Sequence, residues 1–306
     1  MRVAVIGAGA VGGYFGARLA AGGAELAFVA RGAHGAAMRS HGLRLLSARG
    51  NLHLEAVRLL EEEARERFDA VLIAVKMYDL EAAAQRAAAL VAGDGVVVPL
   101  QNGVEAVDIL RRRLAARHVA GGVAYIAGAI EEPGVIRHSG QMARLVLGAL
   151  DERQRPGLEA LARACDAADV EAALVPDVMR EIWKKFVFLA PFAGITCFAR
   201  RPIGPVRDQP VLWQRFEAMV REAVAVGRAR GVELPDELVE ERLAFVRGLP
   251  ADMRSSMLTD LESGRRLELD WLVGAVVRLG VEAGVPVPAS AEVYGMLEPL
   301  AGGVAP

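Results

Sequence analysis

Several residue types are scarce in this chain of 306 residues. It has two cysteines, Cys165 and Cys197, which are too few and too far apart for a disulfide framework or a zinc-binding pattern. No apolar run reaches the ~18 residues that a membrane-spanning helix needs without an interrupting charge or clustered glycines. These absences argue against a disulfide-stabilised secreted protein, and they predict no metal site and no membrane partner.

Charge of one sign is also not in excess. The chain has 38 acidic and 36 basic side chains and a net charge of −2, which argues against a nucleic-acid or membrane-surface binder that depends on a basic field. Its length predicts about two domains of roughly 150 residues each. Five glycines between Gly7 and Gly16 distinguish the apolar N-terminal stretch from a signal peptide, so we expect a cytoplasmic protein.

Lysine and asparagine are the two scarce residue types that point to function. The basic residues are 33 arginines and only three lysines (Lys76, Lys184 and Lys185), and the only asparagines are Asn51 and Asn102. Arginine stays charged in proteins, whereas lysine can shift its pKa and donate a proton. Each lysine is therefore a candidate site residue, although a surface lysine retained by chance is the alternative interpretation.

Short apolar, β-branched runs alternate with helical stretches through the first half of the chain. The predicted strands are Arg2–Ile6, Leu26–Val29, Arg44–Leu46, Leu52–Leu59, Ala70–Val75, Gly95–Leu100, His118–Ala124 and Val170–Leu174. The predicted helices are Ala10–Ala21, Leu80–Ala92, Val104–Ala116 and Leu158–Ala168. Such alternation is typical of a parallel sheet covered on both faces. Residues 131–134 predict a turn between two antiparallel strands.

Strand patterns disappear after Pro176. Asp177 is positioned to cap a helix through Leu189, and further helices are predicted at Pro210–Arg230, Pro235–Val246, Glu268–Ala283 and Ala291–Leu297. The sequence therefore predicts an α/β fold. An N-terminal Rossmann-type dinucleotide-binding domain (residues 1–174) precedes an all-α C-terminal domain (residues 175–306) that carries substrate and catalytic residues.

Residues 7–12 read GAGAVG and match G-x-G-x-x-G between a predicted strand and a predicted helix. In this pattern Gly7 permits a tight turn, Gly9 lets a pyrophosphate approach the backbone, and Gly12 lets helix and strand pack closely. The helix N-terminus supplies free N–H groups and a positive dipole end to the phosphates. Dinucleotide binding is therefore predicted at Gly7, Gly9, Ala10, Val11 and Gly12.

The end of the second strand bears on which dinucleotide is bound. An acidic residue at the carboxyl end of this strand would accept a hydrogen bond from the ribose 2′-hydroxyl of NAD, but Glu25 lies at the opposite end. Arg31 follows the carboxyl end, where a guanidinium suits a 2′-phosphate. We therefore expect NADP(H), with a solvated surface arginine as the other interpretation of Arg31.

Lys76 and Asn102 each follow the carboxyl end of a predicted strand. Ligands of open α/β sheets bind outside these ends, so both residues are predicted to face a ligand. A plain turn at Asn102 and Gly103 is the alternative.

The helical half offers one kind of proton donor. Hydride delivery to a ketone leaves an oxyanion that needs a proton, and this half has no histidine. Lys184 and Lys185 point about 100° apart on a helix, so only one of them can face a cleft. Lys185 lies beside an apolar stripe that includes Phe186. A surface ion pair between Glu181 and Lys185 is the alternative.

Together these motifs resemble the ketopantoate reductase (2-dehydropantoate 2-reductase) family along essentially the whole chain. The resemblance rests on VAVIGAGAVGGYFGARLA (3–20), AVKMYD (74–79), LQNGVE (100–105), EIWKKF (181–186) and SSMLTDLESGRRLELDW (255–271). It implies NADPH-dependent reduction of a 2-oxo acid to a 2-hydroxy acid, most specifically 2-dehydropantoate to pantoate on the route to coenzyme A. It also implies that Arg31 selects NADP. A homodimer is compatible with the sequence, which leaves the oligomeric state open.

The resemblance implies a role for several further residues. Lys185 corresponds to the general acid that protonates the C2 oxygen, with Glu268 as the substrate-binding carboxylate beside it. Ser256 corresponds to a serine that binds the substrate carboxylate, Asn102 to an asparagine between cofactor and substrate, and Lys76 to a lysine near both. We expect Lys185 to keep an ordinary pKa of about 10.4. From the residues alone, Glu268 also fits a first helical turn, and Ser256 a helix cap or a surface hydroxyl.

The chain departs from the family at two positions. Asparagines common in the family one and two helical turns after the catalytic lysine are here Leu189 and Ala193. A site without these amides suits a less hydroxylated or bulkier 2-oxo acid, because polar pockets discriminate by pairing substrate hydroxyls. A reductase of another 2-oxo acid is therefore the first alternative. A non-catalytic NADP-binding regulator is the second, and a flavin enzyme has least support.

Overall fold

The computed structural model describes residues 1–303, which form two compact units. Unit 1 contains Met1–Gln101 and Glu105–Val178, and the described part of unit 2 contains Asn102–Val104 and residues 179–303. The combination of an α/β first half and a helical second half confirms the predicted fold class. The domain bounds 1–174 and 175–306 stay a prediction.

Unit 1 contains nine strands among the residues that the structure describes. They are β1 (Arg2–Ile6), β2 (Glu25–Val29), β3 (Leu43–Ser47), β4 (Leu52–Leu54), β5 (Phe68–Ile73), β6 (Val91–Pro99), β7 (Gly121–Glu132), β8 (Val135–Gly148) and β9 (Glu171–Leu174). The helices of unit 1 are α1 (Ala10–Ala21), α2 (Gly32–His41), α3 (Leu80–Leu90), α4 (Ala106–Arg111) and α5 (Arg155–Ala167).

The first sheet is parallel throughout and has the strand order β2-β1-β5-β6. Its central strands are apolar because they are buried: Val3, Val5 and Leu72 are each 0% exposed. Strands β2 and β5 flank β1, so the loops that follow these three strands leave the same edge of the sheet side by side. This edge carries the glycine loop.

A second sheet, with the order β4-β3-β8-β7 and β9 paired to β8, was not predicted. The pair β7 and β8 is an antiparallel hairpin whose register ends at Glu132 and Val135. The turn between them has Gly134 at a φ of +83°, a conformation that favours glycine. The predicted antiparallel turn is thus confirmed. No bounds were predicted for strand β8, because polar residues interrupt its apolar pattern.

Unit 2 is helical. Its helices in the described part of the chain are α6 (Val178–Ala199), α7 (Ile203–Asp208), α8 (Pro210–Ala229), α9 (Leu238–Arg247), α10 (Ser256–Glu262), α11 (Val273–Ala283) and α12 (Pro288–Leu297). By length and composition alone, α6 is apolar enough to cross a membrane, but 67% of its most apolar window is buried inside the protein. Such burial is typical of the core helix of a folded domain.

Some predicted elements are wrong in extent. The predicted helix Glu268–Ala283 is a 3₁₀ turn at Leu269–Trp271 followed by α11, because Leu272 has φ −106° and ψ −92° and breaks the helix. The predicted strand Leu52–Leu59 ends at Leu54. The predicted helix Val104–Ala116 is limited to α4. Helices α2, α7 and α10 were not predicted.

Candidate active site

The glycine loop between β1 and α1 has the geometry that its sequence predicts. Gly7 has φ +95°, and a Cβ there would lie 2.8 Å from Val75 Cγ1. A Cβ on Gly12 would lie 2.1 Å from the Gly7 carbonyl oxygen. By contrast, a Cβ on Gly9 would meet no other described heavy atom within 4 Å. Gly7 and Gly12 are therefore required by packing, whereas Gly9 adjoins open space.

The start of helix α1 beside this space offers hydrogen-bond donors that suit a phosphate group. Gly9 is the N-cap of α1 and makes no side-chain capping bond, so the first N–H groups of the helix are left for a ligand. Ala10 and Val11, in the first turn, are only half-buried. A phosphate placed there would meet amide donors and the positive end of the helix dipole.

His34 supports the loop and was missed by the sequence analysis. Its Nε2 lies 2.9 Å from the Ala8 carbonyl oxygen, and its Nδ1 accepts a hydrogen bond from the Gly134 amide at 3.1 Å. The ring thus joins the glycine loop, α2 and the β7–β8 turn. Burial lowers the pKa of His34. No sequence motif marks this residue, because both of its partners are backbone groups distant along the chain.

Arg31 and Asp79 meet beside the glycine loop. Arg31 follows β2 at the N-cap position of α2, and its side chain, which makes no capping hydrogen bond, is 80% exposed. Its guanidinium forms an ion pair with the Asp79 carboxylate, which is 30% exposed and ends the 3₁₀ turn Met77–Asp79 after β5. Lys76 directly precedes that turn and is half-buried. The acidic partner of Arg31 was not foreseen.

In unit 2, the adjacent lysines of α6 point to different partners. Lys185 Nζ donates to Asn102 Oδ1 at 2.9 Å. Lys184 Nζ instead pairs with Glu181 at 3.0 Å. The alternative of a Glu181–Lys185 ion pair is therefore wrong, because Glu181 takes the other lysine. The structure also brings together two residues, Lys185 and Asn102, that the sequence singled out for separate reasons.

Glu268 shares the electrostatic environment of Lys185. It is 5% exposed and immediately precedes the 3₁₀ turn Leu269–Trp271. Burial lowers the pKa of Lys185 to about 8, and the charge of Glu268 opposes this by favouring the ammonium. The expected ordinary pKa is therefore wrong. Desolvation outweighs the carboxylate, and it could not be estimated without knowing how deeply the amine lies.

Ser256 is exposed at the first position of α10, while its neighbour Ser255 is buried and caps that helix. The Ser255 hydroxyl accepts a hydrogen bond from the Leu258 amide at 3.0 Å and lies 2.8 Å from Thr196 Oγ1 on α6. Ser255 and Thr196 thus fix the start of α10 and leave the Ser256 hydroxyl facing outward. Sequence reasoning recognised the paired serines but not this division of roles.

The two positions at which the chain departs from the family pattern, Leu189 and Ala193, differ in their exposure to solvent. Leu189, one turn after Lys185 on α6, is half-buried, whereas Ala193, two turns after it, is only 1% exposed. The apolar side chain of Leu189 is therefore the one that can still contact a ligand. Among residues 1–303, no three His, Cys, Asp or Glu side chains group together as metal ligands.

Comparisons with known proteins agree across both units. The family described as "Ketopantoate reductase PanE/ApbA" matches residues 3–152, and its C-terminal counterpart matches residues 177–301. A 2-dehydropantoate 2-reductase of Archaeoglobus fulgidus is 35% identical over 93% of this chain and 92% of its own length. An uncharacterized oxidoreductase of Bacillus subtilis, YkpB, is 29% identical over 97% of this chain and 98% of its own length.

The fold agrees as well. The crystal structure of a PanE/ApbA family ketopantoate reductase from Ralstonia eutropha matches with a TM-score of 0.89 and 31% identity, covering 98% of each chain. The matched family therefore places the chain among the nicotinamide dinucleotide-dependent oxidoreductases that act on small keto acids. The chain belongs to the ketopantoate reductase family.

Proposed function

We propose that this chain reduces a 2-oxo acid to a 2-hydroxy acid with NADPH, and that 2-dehydropantoate, reduced to pantoate, is its substrate. The observation that carries the proposal is the Lys185 amine, which is hydrogen-bonded to Asn102 and stabilised in its charged form by Glu268. A family member that had lost catalysis would have no need to retain this arrangement, which counts against a purely regulatory role. The proposal places the enzyme in the cytoplasm.

The dinucleotide is assigned to unit 1. Gly7, Gly9 and Gly12 shape the loop, Ala10 and Val11 present backbone amides to the pyrophosphate, and Arg31 offers its guanidinium to the 2′-phosphate. Lys76 follows β5 at the same sheet edge and is assigned to both cofactor and substrate. When bound, the reduced nicotinamide supplies a hydride to the carbonyl carbon of the substrate.

Proton donation is assigned to Lys185. As the carbonyl carbon gains a hydride, its oxygen takes up negative charge, and the Lys185 ammonium stabilises that charge and transfers a proton to it. A pKa of about 8 leaves the amine protonated at neutral pH and makes it a stronger acid than an exposed lysine. The Oδ1 atom of Asn102 accepts a hydrogen bond from the Lys185 amine and so fixes the direction of the amine.

Substrate binding is assigned to Glu268, Ser256 and Asn102. The exposed Ser256 hydroxyl can donate to the substrate carboxylate, and the buried Glu268 carboxylate can accept from a substrate hydroxyl while it holds Lys185 charged. The second candidate substrate is a less hydroxylated or bulkier 2-oxo acid. The half-buried Leu189 favours it, because this position offers no hydrogen bond to a hydroxyl group.

A substrate panel tests the proposal. NADPH oxidation by the purified chain is followed with 2-dehydropantoate and with 2-oxo acids that lack its hydroxyl group or carry a larger apolar group. We expect 2-dehydropantoate to give the highest kcat/KM. If kcat/KM for another acid were at least about 100-fold higher, that acid would be the substrate instead. One pocket contact can supply discrimination of this size. No oxidation with any acid would contradict the reductase proposal.

A further inference from the structure

We propose that Asp79 determines dinucleotide specificity: it weakens the preference of Arg31 for a 2′-phosphate and lets the same site accept NADH. This inference rests on the proposed dinucleotide site. It concerns a residue to which neither the glycine motif nor the family resemblance gives a role.

The sheet topology places Asp79 where it can act on the ribose. Strands β2 and β5 pair with β1 on opposite sides. Arg31 follows β2 and Asp79 follows β5, so their ion pair joins the two loops that flank the glycine loop. The adenosine ribose of a dinucleotide is bound at the end of the second strand of this fold, beside Arg31.

Exposure shows which member of the pair is held in place. The Arg31 side chain is 80% exposed and the Asp79 side chain 30% exposed. In the part of the chain that the structure describes, Asp79 is the acidic partner of Arg31. The arginine is therefore free to turn towards a ligand, whereas the carboxylate stays at the end of the 3₁₀ turn.

The carboxylate has opposite effects on the two dinucleotides. A 2′-phosphate that binds Arg31 must either displace Asp79 or lie close to its negative charge, and both weaken binding. A ribose 2′-hydroxyl can instead donate a hydrogen bond to the carboxylate, the same kind of bond that an acidic residue at the end of the second strand accepts when it recognises NAD. Arg31 and Asp79 together thus form a site for either ribose.

The pair can be altered without loss of the fold, because an ion pair whose arginine side chain is 80% exposed contributes little to stability. Asp79→Asn removes the charge and keeps the shape of the side chain. Glu81→Gln is the matched control, because Glu81 lies two residues further along the chain and pairs with Arg113 at 3.0 Å, not with Arg31. Thermal unfolding of both variants verifies that each remains folded.

Equilibrium binding of NADPH and NADH to the parent chain, Asp79→Asn and Glu81→Gln tests the inference. We expect the parent to bind both. Asp79→Asn should tighten NADPH by about fivefold, the equivalent of an exposed ion pair worth about 1 kcal/mol, without tightening NADH. Glu81→Gln should leave both affinities unchanged. Adenosine 2′,5′-bisphosphate and AMP, which differ at the same phosphate, should repeat the result.

The possible outcomes distinguish a failure of this inference from a failure of the proposed function on which it rests. A parent that binds neither dinucleotide overturns the proposed cofactor and this inference together. A parent that binds dinucleotide, with an unchanged ratio of NADPH to NADH affinity in Asp79→Asn, overturns this inference alone. Weaker NADPH binding in Asp79→Asn would show that the carboxylate orients Arg31 for the phosphate, which also contradicts the proposal.

Discussion

The Lys185 amine is subject to two opposing influences, and their balance sets the pH range of the proposed reaction. Burial lowers its pKa, and the Glu268 carboxylate raises it, leaving a value of about 8. Because the general acid must carry its proton, kcat/KM for reduction should be level near neutral pH. It should then fall about tenfold per unit above the pKa.

A pH profile of kcat/KM measures this alkaline decrease, called the alkaline limb, directly. The Lys184→Met variant should show the same limb as the parent, because Lys184 pairs with Glu181. If kcat/KM of the parent began to fall only about two pH units higher, Lys185 would behave as a solvated lysine, contrary to its burial. An activity that rises above pH 8 would mean that Lys185 acts as a base.

Site residues were predictable from sequence where scarcity or a motif marked them. Lys185 and Asn102 stood out because lysine and asparagine are rare, and the structure joins them. His34 and Asp79 carried no such signal, since their roles depend on partners distant along the chain. The lowered pKa of Lys185 was likewise hidden, because desolvation is a property of the folded environment.

The loop between β1 and α1 contains glycines with different roles. Gly12 is required for packing, whereas Gly9 is proposed to be required for ligand binding. Gly12→Ala places a methyl group against the Gly7 carbonyl and should lower the free energy of unfolding by about 1–3 kcal/mol. Gly9→Ala meets no neighbour and should lower it by only about 0.5 kcal/mol, because alanine is a poorer N-cap than glycine. Gly9→Ala should instead weaken NADPH binding about tenfold, equivalent to about 1.4 kcal/mol.

Urea unfolding and NADPH titration of both variants check this contrast. A Gly9→Ala chain that is as unstable as Gly12→Ala would show that the space beside Gly9 is occupied by the protein itself. A Gly9→Ala chain that binds NADPH like the parent would show that no ligand approaches the backbone there.

Elements were predictable where local pattern and tertiary environment agree. Strand β1, which is apolar except for Arg2, and helix α1 have the bounds that their sequence predicts. The bounds of strand β8 could not be predicted, because His138 and Ser139 interrupt its apolar pattern. In the structure His138 is buried, and its Nδ1 lies 2.8 Å from Ser47 Oγ on the paired strand β3. The break at Leu272 is a backbone conformation that the surrounding apolar pattern conceals.

At the scale of the whole molecule, the proposal divides the reaction between two compact units. The glycine loop, Arg31 and Asp79 belong to unit 1, whereas Lys185, Asn102 and Glu268 belong to unit 2. In the proposal, unit 1 binds the hydride donor and unit 2 carries the proton donor. Loss of the proton donor should therefore abolish reduction without abolishing dinucleotide binding.

The most direct test of this account compares Lys185→Met with Lys184→Met in the same assay. Lys185→Met should bind NADPH with the parent's affinity and lower kcat for its preferred 2-oxo acid by at least about 100-fold, the contribution of a positioned general acid. Lys184→Met should keep both quantities near those of the parent. A Lys185→Met chain that reduces its substrate at the parent's rate would contradict the account.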